Sequence, residues 1–333
     1  MFKQTIFQLF MLLLTFVLVS CGDGSVELSY EGTTINVPDY PPTTTQLPTA
    51  VASIGPISWL SSMIVNGVVY DTSVAGVTIN GETGVIDDLL IGYVVTVNGT
   101  LDAAWETGSA DLISFNANVV GPIESVDPIG RRLLIMGQSV RINTDTRFAP
   151  PLGPNSLSSL MAGTVVQISG LPDANGEIVV THMKLSTEQQ DFQVIGAVSE
   201  INFGELMFKI NGLTVDYNSA IVLNLPGGAP SNAMEVLVRG TLSPNGVFQI
   251  SELTTNVQPS GFATDSRIEI AGYITRYNSD TDFFINGLRV TTELRTIFYY
   301  SMHSDLTLGA RVQINGRWSG SDKLVAEEIW FEQ

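Results

Sequence analysis

One order of short motifs occurs four times in this chain of 333 residues, and it limits the folds open to the chain. Each copy opens with Gly-x-Ile or Gly-x-Val, continues with a two-residue turn, and later carries Gly-x-x-Val-x-Val/Ile-x-Gly. The last copy is the clearest, with residues 272–274, 286–287 and 309–316 at these three places. The opening glycines, which lie 66, 75 and 76 residues apart, are Gly55, Gly121, Gly196 and Gly272. Such a repeat predicts several small domains of one type rather than one large core.

The two-residue turns indicate β-hairpins. They are Asn66-Gly67, Met136-Gly137, Asn211-Gly212 and Asn286-Gly287. Asn-Gly between alternating apolar runs is a strong hairpin signal, because both turn positions need a positive φ. Met136 departs from this pattern, and Ala233 stands where the later motif of the third copy should begin with Gly. The second hairpin therefore has the weaker sequence signal.

The order of strands in each copy predicts a fold class. Each unit has three strands, a connection of some 15 to 25 residues, and then two more strands. This is the order of a five-stranded antiparallel OB-like barrel, in which the long connection often holds a short helix. Closure into a barrel also hides strand edges that would otherwise be exposed. We therefore predict an all-β chain of OB-like repeats at 51–117, 118–191, 192–263 and 264–333, with a β-propeller-like array as the alternative.

The repeated motifs also resemble a known family. The order Gly-x-Ile, Phe-x-Ile-Asn-Gly-Leu-x-Val, Leu-x-x-Gly-x-x-Val-x-Ile-x-Gly and Val-Ala-x-x-Ile is similar to the bacterial domain of unknown function 5666. The likeness covers most of residues 51–333, is clearest in the fourth copy and is weakest in the first. The resemblance implies tandem domains in an exported protein, and it implies no activity.

The N-terminal residues predict export and lipid anchoring. Residues 1–20 have the form of a signal peptide, with Lys3 followed by an apolar run of 14 residues, which is too short to span a bilayer. The sequence Leu18-Val19-Ser20-Cys21 resembles the lipobox of bacterial lipoproteins, which implies that Cys21, the single cysteine, is lipidated. Gly22 rather than Asp follows it, which favours the bacterial outer membrane. Residues 21–50, rich in Thr and Pro, are expected to form a disordered tether.

The charge distribution bears on possible partners. The formal net charge is −18, and residues 22–130 contain thirteen acids and no base. Binding of nucleic acid relies on Lys and Arg, so a nucleic-acid partner is not expected. The expected partners are the membrane, through the N-terminal lipid, and an envelope protein or polysaccharide.

Few residues of the sequence suggest catalysis or cofactor binding. Only two histidines are present, in different copies, and His182 is expected on a surface. A zinc site usually needs several His or Cys ligands, and the common hydrolase, phosphate-loop and dinucleotide motifs are missing from the sequence. No cofactor and no enzymatic activity are therefore expected. A hydrolase assembled from distant residues stays open as an alternative.

One loop and one group of aromatic residues provide candidate sites. Asn278, Asp280 and Asp282 offer alternating oxygen atoms to calcium, although such clusters are also ordinary turn chemistry. The fourth copy holds ten of the 28 aromatic residues, and the alternation assigns Trp330 and Phe284 to its solvent face. Near Arg289 they could stack on sugar rings or anchor a protein, whereas the alternative is packing against the preceding copy. The sequence thus predicts a non-catalytic, lipid-anchored binding or spacer protein, with a carbohydrate-binding module as its first alternative.

Overall fold

The computed structural model describes residues 49–102, 105–187, 190–255, 264–319 and 323–332. The predicted signal peptide, Cys21 and the tether up to residue 48 lie outside these residues. The described strands fall into four groups. The first group is β1 (Thr49–Trp59), β2 (Met63–Val65), β3 (Val68–Asp71), β4 (Gly76–Ile79), β5 (Glu82–Gly84), β6 (Val94–Leu101) and β7 (Thr107–Phe115). The second is β8 (Val119–Asp127), β9 (Arg132–Ile135), β10 (Gln138–Arg141), β11 (Arg147–Phe148), β12 (Val165–Pro172) and β13 (Ile178–Leu185).

The other two groups repeat this arrangement. The third is β14 (Phe192–Asn202), β15 (Met207–Ile210), β16 (Leu213–Asp216), β17 (Ile221–Leu223), β18 (Glu235–Leu242) and β19 (Phe248–Thr255). The fourth is β20 (Arg267–Ser279), β21 (Asp282–Ile285), β22 (Leu288–Tyr299), β23 (Arg311–Trp318) and β24 (Lys323–Phe331). Short 3-10 helices occur in the long connections, at Ile86–Asp88, Ser156–Ser159, Pro226–Gly228 and His303–Asp305. In the described residues, no helix is long and apolar enough to cross a bilayer.

Each group closes into a barrel. In the fourth, β20 pairs with β21, β21 with β22, β22 in parallel with β24, β24 with β23, and β23 again with β20. The first group closes in the same order through β1, β2, β3, β7 and β6. Equivalent pairings close the second and third. This circuit confirms the predicted OB-like fold, and the propeller alternative is wrong because each unit is a closed barrel.

The repeated glycines have two structural reasons. The second glycine of Gly-x-x-Val-x-Val/Ile-x-Gly lies at a β-bulge in every barrel. A side chain there would clash with the facing strand. At Gly99 a Cβ atom would lie 1.9 Å from the carbonyl oxygen of Ser109. The first position of the same motif has a left-handed backbone, with φ of 91° at Gly92 and 65° at Ala233. Ala233 therefore adopts the backbone conformation that glycine has in the other copies.

In the first, second and fourth barrels, the opening glycine and the turn residue are direct neighbours. A Cβ atom at Gly55 would lie 2.0 Å from Oδ1 of Asn66, and one at Gly121 would lie 2.1 Å from the sulfur of Met136. Met136 has φ of 47° and is fully buried, so the second hairpin forms although its turn lacks Asn. The glycine therefore provides the space in which the turn side chain packs.

The barrels associate in two pairs that do not follow chain order alone. Strands β8 and β14 pair between the second and third barrels, and these two share one hydrophobic core. Strand β1 of the first barrel pairs in parallel with β20 of the fourth, in the register Val51–Ile54 against Arg267–Ile270. The first and last barrels of the chain are thus joined in one sheet of twelve strands.

The first and second barrels meet at His182. Its Nδ1 lies 2.7 Å from the carbonyl oxygen of Ile91, and its ring packs edge-on against Tyr93, with centroids 4.9 Å apart. The residue is only 4% exposed, so the predicted surface role of His182 is wrong. The alternation of the strand correctly places His182 on the outer face of the second barrel. This face is buried because the first barrel covers it.

Candidate functional site: a groove on the fourth barrel

A groove of about 1080 Å³ runs along the fourth barrel. It lies between residues 293–297 of β22 and the strands β23 and β24, and Trp105 of the first barrel closes one side. The pairing of β22 with β24 shifts register between Thr292 and Ile297, so the intervening residues bulge away from the sheet. Leu294 is fully exposed on this bulge and Ile297 is half exposed. These bulged residues form one wall of the groove.

A row of alternating charges crosses the floor of the groove. The guanidinium of Arg267 lies 3.4 Å from the ring centroid of Trp105 and donates a hydrogen bond to Glu327. The other carboxylate oxygen of Glu327 lies 2.6 Å from Nε of Arg317. Stacking of the cation on an indole ring is favourable and fixes both side chains. This row joins the first barrel to the fourth and leaves the floor nearly neutral.

A stacked aromatic pair forms the other end of the groove. The rings of Tyr299 and Trp330 lie 4.9 Å apart and are almost parallel. The hydroxyl of Tyr299 donates to Glu328 at 3.2 Å, and the negative charge of that carboxylate raises the pKa of Tyr299. Trp330 is partly exposed and lines the groove. Aromatic faces beside carboxylates and guanidinium groups can stack on a ligand ring and hydrogen-bond its edge.

The structure divides the three aromatic-site candidates between two places. Strand β22 pairs with β24 from Arg289 opposite Lys323 to Tyr299 opposite Trp330, so Arg289 and Trp330 lie at opposite ends. Lys323, the partner of Arg289, lies seven residues before Trp330 on β24. Arg289 and Trp330 are therefore roughly 23 Å apart. Phe284 pairs with Arg289 across the β21–β22 hairpin. Trp330 belongs to the groove, whereas Phe284 and Arg289 do not line it.

Phe284 and Arg289 already have partners within the fourth barrel. The guanidinium of Arg276 lies 3.7 Å from the ring centroid of Phe284. Nε of Arg289 lies 2.7 Å from Oδ1 of Asp282, and this hydrogen bond lowers the pKa of the Asp282 carboxyl. Both interactions are on exposed strands and hold the hairpin together.

The calcium candidates form hydrogen bonds within their own turn and to its neighbours. Asn278 donates to Asp282 at 2.9 Å, and the hydroxyl of Tyr277 donates to Asp280 at 2.8 Å, which lowers the pKa of Asp280. Asp280 also lies 3.0 Å from His303. These contacts direct the carboxylates at protein donors rather than at one common point. In the described residues, no group of three or more His, Cys, Asp or Glu could hold a metal ion.

Sequence reasoning missed Trp105, Arg267 and Tyr299. Trp105 lies 162 positions before Arg267 in the chain, and no local pattern indicates that they touch. Packing of the fourth copy against the preceding one was the alternative explanation for its outer aromatic residues, whereas the strand that β20 pairs with in another barrel is β1 of the first. The signal that was available is the concentration of arginine and aromatic residues in the last copy.

These features define the class of protein: the described chain consists of four tandem OB-type barrels. The family model described as Domain of unknown function (DUF5666) matches residues 120–184 and 271–329, in the second and fourth barrels. The resemblance to this family is thereby confirmed for the second and fourth repeats.

No curated protein matches the chain. A solved structure titled drosophila Unr CSD456 has 14% sequence identity, with 65% of this chain and 97% of that chain covered and a TM-score of 0.16. A likeness at that TM-score supports no argument, so the fold assignment rests on the strand pairings.

Proposed function

We propose that this is a non-catalytic, lipid-anchored protein of the bacterial outer membrane, which binds an envelope partner through the groove of the fourth barrel. The observation that carries the binding role is the groove itself, with the exposed Leu294 and Ile297 beside Trp330. Exposed apolar residues clustered beside aromatic and arginine side chains are typical of protein-binding surfaces. The parallel pairing of the first and fourth barrels holds both sides of the groove in one sheet.

A photo-crosslinking amino acid in whole cells tests the binding role. We place it at Leu294 in the groove, and at Ile221, which is 66% exposed on the third barrel, as the matched control. The proposal expects a discrete adduct from position 294 that disappears in Trp330→Ala and is not formed from position 221. Equal adducts from both positions, or an adduct at 294 that is unaffected by Trp330→Ala, would contradict it.

The lipid anchor is a separate part of the proposal and rests on the sequence around Cys21. Cells labelled with a palmitate analogue should incorporate it into the wild-type protein and not into Cys21→Ala. The variant should also leave the membrane fraction. Protease treatment of whole cells, compared with cells whose outer membrane is permeabilised, then decides whether the barrels face the outside or the periplasm. Membrane-bound Cys21→Ala would show that the anchor is not a lipid on this residue.

Carbohydrate binding is the second candidate function, and the Tyr299–Trp330 stack favours it. One face of Trp330 is occupied by Tyr299 and the residue also borders the groove, as in sites that stack on sugar rings. Purified protein should then bind isolated envelope polysaccharide, and Trp330→Ala should lose that binding while Phe284→Ala, on the separate hairpin, retains it. Failure of the wild-type protein to bind any envelope polysaccharide rejects this candidate.

A further inference from the structure

The four barrels meet around a cavity of about 260 Å³ that shares no lining residue with the groove. Every barrel contributes to its wall, with Thr96 from the first, Leu171 from the second, Glu235 from the third and Asn286 from the fourth. At liquid density this volume corresponds to roughly nine water molecules. The cavity therefore has room for one small organic molecule.

The wall of the cavity is fixed by hydrogen bonds between barrels. Residues 116–118 link the first barrel to the second and are bonded to the second and third. Oδ1 of Asn118 accepts from the amide of Gly170 at 2.7 Å, and its carbonyl accepts from the amide of Ile195 at 2.8 Å. Arg239 donates to Oδ1 of Asn116 at 3.4 Å. A wall held in this way loses little freedom when a ligand binds.

Amide side chains dominate the polar part of the wall. Asn98, Asn116, Asn118 and Asn286 all line the cavity, together with the carboxylate-bearing Glu235. A primary amide both donates and accepts hydrogen bonds, which matches a ligand hydroxyl, since a hydroxyl does the same. Oδ1 of Asn286 is buried and has no hydrogen-bond partner among the described residues.

The charge and the apolar part of the wall narrow the ligand class. Glu235 is the single charged residue among the described residues of the wall, and no Lys, Arg or aromatic side chain lines it. The negative charge of Glu235 disfavours an anionic ligand, and a nucleobase or a quaternary ammonium group would find no lining ring to stack on. Ile54, Ile195 and Ile270 provide apolar surface suited to the C–H face of a saturated ring.

We infer that the central cavity binds a neutral, hydroxyl-rich ligand of the size of a single sugar. Amides and Glu235 hydrogen-bond its hydroxyls, while the isoleucines contact its carbon skeleton. Because all four barrels form the wall, such a ligand also ties the first and fourth barrels to the second and third. The site is independent of the groove and of the partner proposed for it.

Ligand-observed saturation-transfer NMR on the folded protein tests this site. The probes are glucose, galactose, mannose and N-acetylglucosamine, each at millimolar concentration, with glucose 6-phosphate as the anionic comparison. The inference expects transfer to at least one neutral sugar and none to the phosphate ester. Thr96→Phe, which fills the cavity, should weaken the signal at least tenfold. Thr100→Phe is the matched control, since it lies on the same face of β6 and does not line the cavity.

Further variants separate loss of the site from loss of the fold. If Thr96→Phe does not give a cooperative unfolding transition, Asn98→Leu and Glu235→Gln replace it, and each should lose the sugar signal. Trp330→Ala should keep it, because Trp330 lies in the groove. Transfer to none of the four sugars would overturn the inference. So would an undiminished signal in a folded Thr96→Phe protein, because the sugar would then bind elsewhere.

Discussion

Ser53 of the first barrel donates a hydrogen bond to the carboxylate of Glu269 in the fourth, with 2.5 Å between Oγ and Oε2. The two residues are opposite each other in the parallel pairing of β1 with β20. Tyr70 lies 2.5 Å from the same Ser53 oxygen, and Ser53, Tyr70 and Glu269 are all at most 3% exposed. Burial raises the pKa of Glu269 to about 7, and it also raises the pKa of Tyr70. A carboxyl that titrates near neutrality thus lies in the contact that joins the first and last barrels.

Stability should fall as pH rises through the titration of Glu269. The folded protein keeps this proton up to about pH 7, whereas an unfolded carboxyl loses it near its ordinary value of about 4.5. The folded state therefore binds more protons between these values, and the free energy of unfolding decreases as pH rises through them. The difference between these two pKa values corresponds to about 3 kcal/mol of unfolding free energy. Denaturant unfolding between pH 4 and pH 8 measures this decrease in the free energy of unfolding.

Glu269→Gln isolates this contribution, since the amide stays neutral and still accepts the hydrogen bond from Ser53. The variant should gain stability over the wild type at pH 8 and show no gain at pH 4.5. Arg267 and Glu328 also act on the Glu269 carboxyl, the first lowering and the second raising its pKa, and both are unchanged in the variant. The same difference between the two proteins at every pH would show that Glu269 does not titrate in this range.

His182 should produce a pH dependence of the opposite sign. Its Nδ1 faces a carbonyl oxygen and so carries the proton, while its Nε2 is buried without a partner in the described chain. Burial lowers the pKa of His182, and the charge of nearby Lys184 lowers it further. An unfolded histidine takes up a proton below about pH 6.5, whereas the folded one resists it, so stability is lost as pH falls below that value.

The His182→Gln variant measures that loss, because Gln can still donate to the Ile91 carbonyl. Its unfolding free energy should change less than that of the wild type between pH 7 and pH 5. Measuring Glu269→Gln and His182→Gln separately is necessary, since the two titrations act in opposite directions within the wild-type curve. A wild-type curve and a His182→Gln curve that run parallel below pH 6.5 would contradict the buried, neutral state of this histidine.

The fold could be predicted from sequence because its signals are local. Asn66-Gly67 needs only its own backbone to form a turn, and alternation within a strand assigns buried positions without knowledge of the neighbours. The contacts between barrels could not be predicted, because outer faces look alike whether solvent or another barrel covers them. His182 and Glu269 both lie on such covered faces, and the groove depends on Trp105 meeting Arg267 from another repeat.

Ala233→Gly should stabilise the protein. Ala233 holds a left-handed φ of 65°, whereas the equivalent position of the fourth barrel is Gly309, with φ of 84°. A left-handed backbone costs a residue with a Cβ roughly 1–2 kcal/mol, which is partly offset by the greater freedom of glycine in the unfolded chain. We expect a gain of about 0.5–1 kcal/mol in denaturant unfolding. Gly309→Ala is the reverse control and should lose a similar amount, since a Cβ there is 3.8 Å from its nearest neighbour and meets no clash. A stabilising Gly309→Ala would refute the argument.

Calcium should not change the stability of the fourth barrel. The carboxylates of Asp280 and Asp282 already accept hydrogen bonds from Tyr277, Asn278 and Arg289. A calcium ion would have to break these contacts to gather several oxygen ligands at one point. Thermal unfolding in millimolar calcium and in chelator should therefore give the same midpoint. A higher midpoint in calcium that Asp280→Asn abolishes would contradict this prediction, because it would show that these carboxylates do bind calcium.

Trp105 and Arg267 should be energetically coupled across the first and fourth barrels. The Arg267 guanidinium lies 3.4 Å from the centroid of the Trp105 ring and also donates a hydrogen bond to Glu327. Removal of the ring therefore removes the cation–π contact and leaves the hydrogen bond to Glu327. A double-mutant cycle with Trp105→Ala and Arg267→Ala should give a coupling of about 0.5–2 kcal/mol, the range for cation–π pairs from exposed to desolvated sites. Trp59→Ala with Arg267→Ala is the comparison cycle, because Trp59 is 56% exposed and does not line the groove. Strictly additive effects of Trp105 and Arg267 would mean that the stack contributes nothing to the docking of the two barrels, and the groove would then depend on the β1–β20 pairing alone.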